Sequence, residues 1–271
     1  MQTKEKNKIK SGSGTLKAGA KDSEKLVAGS IKEIRKEEAK DDIAANKEKI
    51  DKSLNYSDVD FSEIDSLIKS QKINIYIKRA FDFLIALLSF LLLWIFFVIV
   101  AILIRVDSSG GAFYKQIRVG KNGKRFKILK FRTMVSDSEK KGMLITVGND
   151  SRITRIGKFL RKSKLDELPQ IINIIKGDMS FVGPRPEVPK YTELYTEEQK
   201  KVLLVRPGIT DIASIEYRNE SEILALSDNP EKTYIEEIMP RKLAYNMSYL
   251  ENISIINDVK IIFITIFKIL R

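Results

Sequence analysis

FLIALLSFLLLWIFFVIVAILI, residues 83–104, is a run of 22 residues without a charge, interrupted only by Ser89 among apolar side chains. A helix of about 20 such residues is long enough to cross a hydrocarbon core. The run lies too far from the N-terminus to be a cleaved signal peptide. Its flanks are basic on both sides: Lys72, Lys78 and Arg79 precede it, and Arg105, Lys115, Arg118 and Lys121 follow. Basic residues favour the cytoplasmic side. A spanning helix satisfies one flank, whereas a helix that enters one leaflet, bends and returns satisfies both. Asp82, at the edge of the run, is placed to pair with Lys78 or Arg79 at the interface.

Working outward, the run divides the chain into a polar N-terminal extension (1–72), an anchor helix (73–108) and a domain (109–271). Residues 1–52 are rich in Lys, Glu, Ala, Ser and Gly and too poor in apolar residues to bury a core, so disorder or a loose helix is expected. Leu54–Ile68 reads as a short amphipathic segment with Phe61, Ile64, Leu67 and Ile68 on one face. After the run, Ala112–Ile117 and Arg125–Phe131 read as strands joined by the Gly120–Gly123 turn. Ile153–Arg161 reads as a basic helix. Leu165–Ile175 reads as a second, with Leu165, Leu168, Ile171, Ile172 and Ile175 on one face and Gly177 as its C-cap. Val259–Leu270 suits either a membrane surface or a place in the core. The expected class is α+β: a mostly helical domain with a small sheet, anchored by a re-entrant or spanning helix and surface-lying amphipathic helices.

Composition narrows the chemistry. The chain has no Cys and no His, which removes disulfides, thiolate nucleophiles and the Ser-His-Asp arrangement. Carboxylates, Lys, Tyr or an oxygen-bound metal must carry any reaction. The net charge of +12 is local. Residues 105–164 hold 17 basic and 4 acidic side chains, a surplus of +13, which attracts anionic headgroups, nucleic acid or phosphate-bearing substrates.

Asp166 and Glu167 are adjacent carboxylates near a helix start, where both carboxylate and phosphate oxygens are favoured. Pro169 limits where that helix begins. Arg185 lies in Gly183-Pro184-Arg185-Pro186, a stiff loop suited to a bidentate phosphate contact. Lys130 and Arg132 alternate with apolar residues and are expected to project from one strand face. Arg206, before Pro207-Gly208, repeats the pattern of a basic side chain beside a rigid turn. Together these groups describe a diphosphate site.

The segments Leu165–Gln170 and Lys176–Pro186 resemble the signature of the monotopic phosphoglycosyl transferases, the bacterial sugar transferase family. Lys78-Arg79 with Asp82, Lys130–Met134 and Val205–Thr210 match in the expected order, so the resemblance covers roughly residues 76–271. It implies a re-entrant membrane helix and a catalytic domain on the cytoplasmic face of the bacterial cytoplasmic membrane. It also implies Mg2+-dependent transfer of a sugar phosphate from a UDP-sugar to polyprenyl phosphate with release of UMP. By match of motif Asp166 is the nucleophile, and a ligand of Mg2+, with Glu167 its dyad neighbour. Lys130, Arg161, Arg185 and Arg218 fall at positions resembling those that contact the nucleotide sugar. Nucleic acid is not an expected partner; homo-oligomers are compatible with the sequence.

Two departures from the family pattern stand out. Where members commonly bend the membrane helix at a Ser-Pro pair, this chain has Trp94-Ile95, and the apolar run contains no proline. Where many have Thr-Gly after Pro-Gly-Ile, it has Thr210-Asp211. The competing reading is a membrane-tethered polyanion binder without catalysis, which uses the basic stretch and leaves the Asp166-Glu167 pair unexplained.

Overall fold

In the computed structural model, which describes residues 63–136 and 150–270, a short helix α1 (Ile64–Ser70) leads into α2 (Lys72–Asp107), a single helix of 36 residues. With no proline to remove a hydrogen bond, nothing in the run breaks it. The buried positions of α2 are Lys78, Asp82, Ala86, Phe97, Val100 and Ile104, with Phe90 and Leu93 packed between them. Steps of three and four define one stripe, so one side of α2 lies against the folded domain from Lys78 to Ile104. The opposite side bares Leu84, Leu88, Leu91, Leu92, Ile95 and Ile99.

After α2, strands β1 (Phe113–Val119) and β2 (Arg125–Phe131) form an antiparallel hairpin. Its turn takes left-handed backbone at Asn122 and Gly123. Helix α3 (Arg155–Lys162) starts at Thr154, whose hydroxyl accepts the Gly157 N–H at 3.0 Å. The expected helix over Leu165–Ile175 is two pieces: a 3-10 turn at Leu165–Glu167, then α4 (Gln170–Lys176). Pro169 has no N–H to give, and the Leu168 and Ile171 N–H groups bond three residues back instead, at 3.2 and 3.0 Å. Gly177, at φ 90°, closes α4 as anticipated.

Helix α4 is covered on two sides, not one, because it lies between α2 and β2. Its buried residues are Gln170, Ile171, Asn173 and Ile174. Asn173 closes the free edge of β2: its amide donates to Lys127 O (2.9 Å) and accepts from Leu129 N (3.0 Å). The core around it joins Phe97, Val100 and Ile104 of α2 to Phe131, Leu160, Ile174 and Met179. Phe97 meets Phe131 edge-on at 5.7 Å, a contact worth about 1 kcal/mol beyond its buried area.

Strand β3 (Ser180–Val182) follows, then α5 (Pro189–Thr192) and β4 (Gly208–Thr210). β3 and β4 pair in parallel, a second two-stranded sheet that the sequence reading did not anticipate. Glycine permits the approach: a Cβ on Gly208 would lie 2.2 Å from Gly183 N, and one on Gly183 2.5 Å from Arg206 O. The chain ends in α6 (Ile212–Glu216), α7 (Glu220–Ala225), α8 (Pro230–Thr233), α9 (Met239–Glu251) and α10 (Ile255–Leu270). Helix α10 packs one side into the core and leaves an apolar stripe bare. Ile261 is buried, whereas Ile256, Phe263 and Phe267 are exposed along one stripe. The expectations for residues 1–62 lie outside the described residues.

Candidate active site

Glu167 is the fixed point of the site. Its carboxylate pairs with Lys130 Nζ (2.7 Å), at the end of β2, and with both terminal nitrogens of Arg185, from the loop after β3. Burial alone would raise the Glu167 carboxyl, but Arg185 and Lys130 outweigh it and hold the group well below the usual carboxylate range. Glu167 is therefore an ionised, committed carboxylate rather than a proton donor.

Asp166, its neighbour in the 3-10 turn, differs. It is buried and forms no close ion pair among the described residues. Burial pushes its carboxyl above the ordinary value; Lys130, Arg161 and Lys164 oppose the shift and Glu167 adds to it. Left-handed backbone at Lys164 turns the chain into this position. The result is a carboxylate under a positive field whose oxygens no side chain among the described residues has claimed.

The other expected site residues divide. Arg161 stays near the pair: its Nε donates to Thr133 Oγ1 at 2.9 Å, and its charge acts on Asp166. Pro184 and Pro186 bracket Arg185 and line a small cleft with Glu187, Tyr195 and Leu243. Arg132 does not share Lys130's surroundings. It lies just past the end of β2, and its guanidinium binds Ser108 O (2.6 Å), Ser108 Oγ (2.9 Å) and Ser109 O, satisfying carbonyls at the C-terminal end of α2. Arg206 donates to Gly177 O (2.8 Å) beyond α4, and Arg218 donates to Lys268 O (3.2 Å) near the end of α10. The three arginines thus each bond a carbonyl at a helix end.

Lys78, Arg79 and Asp82, expected at a membrane interface, face the domain. Lys78 pairs with Asp258 of α10 and, at 3.5 Å, with Asp82, the i,i+4 pairing anticipated. Ser180 Oγ donates to Asp82 Oδ2 (2.6 Å) and Tyr249 OH to Asp258 Oδ1 (2.8 Å). Arg79 donates to Ile174 O at 2.7 Å. Lys78 and Asp82 are buried. Their partners come from β3, α9 and α10, far along the chain, which no local pattern announces. Asp211 and Gln170 were also missed. Gln170 is buried with neither amide atom hydrogen-bonded.

A divalent ion fits the donor set in one way. Among the described residues no three carboxylates cluster, and the oxygens of Glu167 are taken. Mg2+ accepts few protein ligands when phosphate oxygens are present, so Asp166 is the side chain that would hold it.

Comparison with known proteins shows the family. The family model described as bacterial sugar transferase matches residues 73–271. The chain is 36% identical over 200 residues to a UDP-glucose:undecaprenyl-phosphate glucose-1-phosphate transferase of Klebsiella pneumoniae, covering 72% of this chain and 40% of that protein. It is 35% identical over 212 residues to a UDP-N-acetylgalactosamine-undecaprenyl-phosphate N-acetylgalactosaminephosphotransferase of Aeromonas hydrophila, covering 77% and 47%. It is also 38% identical over 201 residues to the exopolysaccharide production protein PSS of Rhizobium leguminosarum bv. phaseoli, covering 71% and 94%. The chain therefore spans less than half of the first two relatives and nearly all of the third. With a family model covering everything from Ile73 to the C-terminus, this chain belongs to the bacterial sugar transferase family.

Proposed function

We propose that the protein transfers a sugar-1-phosphate from a UDP-sugar to polyprenyl phosphate, releasing UMP, as the first step of surface glycoconjugate assembly. The observation that carries this reading is the contrast inside the Asp166-Glu167 pair: one carboxylate is locked between two cations, and its neighbour is unclaimed by any described residue beside them. An Asp166 oxygen attacks the sugar-bearing phosphorus in line. The bond from that phosphorus to the UMP oxygen breaks, and UMP leaves with the electron pair as a phosphate monoester. A phosphate oxygen of the lipid then attacks the same phosphorus, the Asp166–phosphorus bond breaks, and the carboxylate is restored. Neither step needs a strong general acid, which suits a chain without His.

Lys130 and Arg185, pre-oriented by Glu167, stabilise charge on the diphosphate as it builds up. Asp166 would hold Mg2+, which would supply further neutralisation of the phosphate oxygens. The exposed face of α2 accounts for the lipid partner. No stretch of the run leaves the domain for the ~30 Å that crossing a hydrocarbon core alone requires. We read α2 as embedding its bare side in the cytoplasmic leaflet while its other side stays on the domain. The basic surplus that follows meets acidic headgroups at about 1 kcal/mol per residue.

A panel of UDP-sugars with membranes and polyprenyl phosphate tests the reading by UMP release. The wild-type chain, given the right donor alone, gains the mass of one phospho-sugar at Asp166, and Asp166→Asn gains none and releases no UMP. Normal UMP release by Asp166→Asn refutes the nucleophile. Arg185→Ala is expected chiefly to raise the donor KM.

A further inference from the structure

The loop that presents Arg185 has few backbone donors with which to be held. Pro184 and Pro186 have no N–H, so Gly183 and Arg185 supply the only two in Gly183–Pro186. The Gly183 N–H goes to Thr210 O at 3.2 Å. The Arg185 N–H goes to a side chain: Asp211 Oδ2, at 3.0 Å. The other oxygen of that carboxylate, Oδ1, accepts the Ser214 N–H at 2.6 Å and caps α6. Asp211 is only 3% exposed. Arg185 is thus gripped twice, at its backbone by Asp211 and at its guanidinium by Glu167, with Ile209 O (3.3 Å) as a further guanidinium contact.

We infer that Asp211 is a positioning residue for the transfer, setting where Arg185 meets the donor diphosphate by holding its backbone N–H. The inference rests on the proposed transfer reaction for its kinetic readout only. Both carboxylate oxygens are in use, so the role requires two acceptors on one side chain. A residue that merely caps α6 requires one.

Asp211→Asn separates the two roles. Asparagine caps a helix as well as aspartate does, but its amide has a single acceptor oxygen and turns an NH2 group toward the Arg185 N–H. The expected result is a kcat/KM for the donor lower by about tenfold to a hundredfold, the cost of misplacing a contact group by up to an ångström. The loss falls mainly on KM, with little change in Tm. In an Arg185→Ala background the same substitution has no further effect. Hydrogen exchange at the Arg185 amide, measured without substrate, is faster in Asp211→Asn. Asp211→Ser, which caps with one hydroxyl, behaves the same way and serves if the asparagine variant fails to fold.

Wild-type KM with unchanged exchange in either variant overturns the inference. So does an undiminished loss on top of Arg185→Ala, or failure of both variants to fold, which would make Asp211 a support of the fold as a whole and not a residue that positions Arg185 for the transfer. If the wild-type chain releases UMP from no donor, the transfer reading fails; the exchange rate of the Arg185 amide still decides whether Asp211 holds it.

Discussion

Near the N-terminal end of α2 one ammonium, Lys78, serves two carboxylates, Asp82 and Asp258; in the Asp166 site one carboxylate, Glu167, serves two cations, Lys130 and Arg185. The first cluster is closed. Its excess negative charge is met by hydroxyl donors from Ser180 and Tyr249, and its members are buried. The second keeps a positive excess and leaves Asp166 beside it without a close partner among the described residues. Charge clusters of similar size therefore differ in purpose by how completely they are satisfied. A closed one cements α2 to β3 and α10; an open one leaves positive charge and a carboxylate for the phosphate proposed above.

The largest test of this contrast is Lys78→Met, which strands two buried carboxylates. It should cost about 3–5 kcal/mol of stability, read from denaturant unfolding in detergent, with activity falling only as far as the folded fraction does. A stable variant would mean the cluster is not closed.

Glu167→Gln should cost less, about 2 kcal/mol, because Lys130 and Arg185 retain some contact with solvent at 19% and 29% side-chain exposure. Its effect depends on pH. The depressed folded pKa of Glu167 gives stability that is present above the unfolded carboxylate value and lost as pH falls through the folded one. Stability of the wild type should therefore drop in acid more steeply than that of Glu167→Gln. Identical acid limbs would remove Glu167 from the account.

Tyr249→Phe deletes one hydroxyl from the closed cluster and should cost about 1 kcal/mol, seen as a small fall in Tm. Smallest is the effect of Asp166→Asn on stability. Because burial raises this carboxyl, its contribution is present at low pH and lost as pH rises through the folded pKa. At neutral pH the asparagine variant should unfold at a temperature no lower than the wild type, while losing all UMP release. A marked fall in Tm would show that Asp166 is paired after all.

Much of this was legible in the chain. The uncharged run 83–104 announced a long helix, and the alternating strands and the Gly120–Gly123 turn announced the hairpin. Asp166, Glu167, Lys130 and Arg185 were legible as a phosphate-friendly group because rigid prolines and paired charges leave a local mark. Arg132 and Arg206 carry the same mark, and Arg218 was expected only from the family resemblance; all three bond carbonyls at helix ends. A guanidinium suits a carbonyl as well as a phosphate, and only its surroundings choose between them. The polar face of α4 was hidden for a related reason. Asn173 looks solvent-facing in periodicity, but β2 arrives from 44 and 46 residues earlier to bond it.

Taken alone, the amino-acid order determined the helix-forming run, the turns, the absence of imidazole and thiol chemistry, and the signature that places the chain in its family. These depend on spacing within a few residues, where backbone geometry leaves little choice. The tertiary structure decided which of two adjacent carboxylates is locked and which is unclaimed. It also decided that the Lys78 end of the anchor helix is bound to the domain, and that Asp211 reaches the backbone of Arg185. Those outcomes follow from groups many residues apart competing for the same few partners in a buried space, and that competition exists only once the chain has folded.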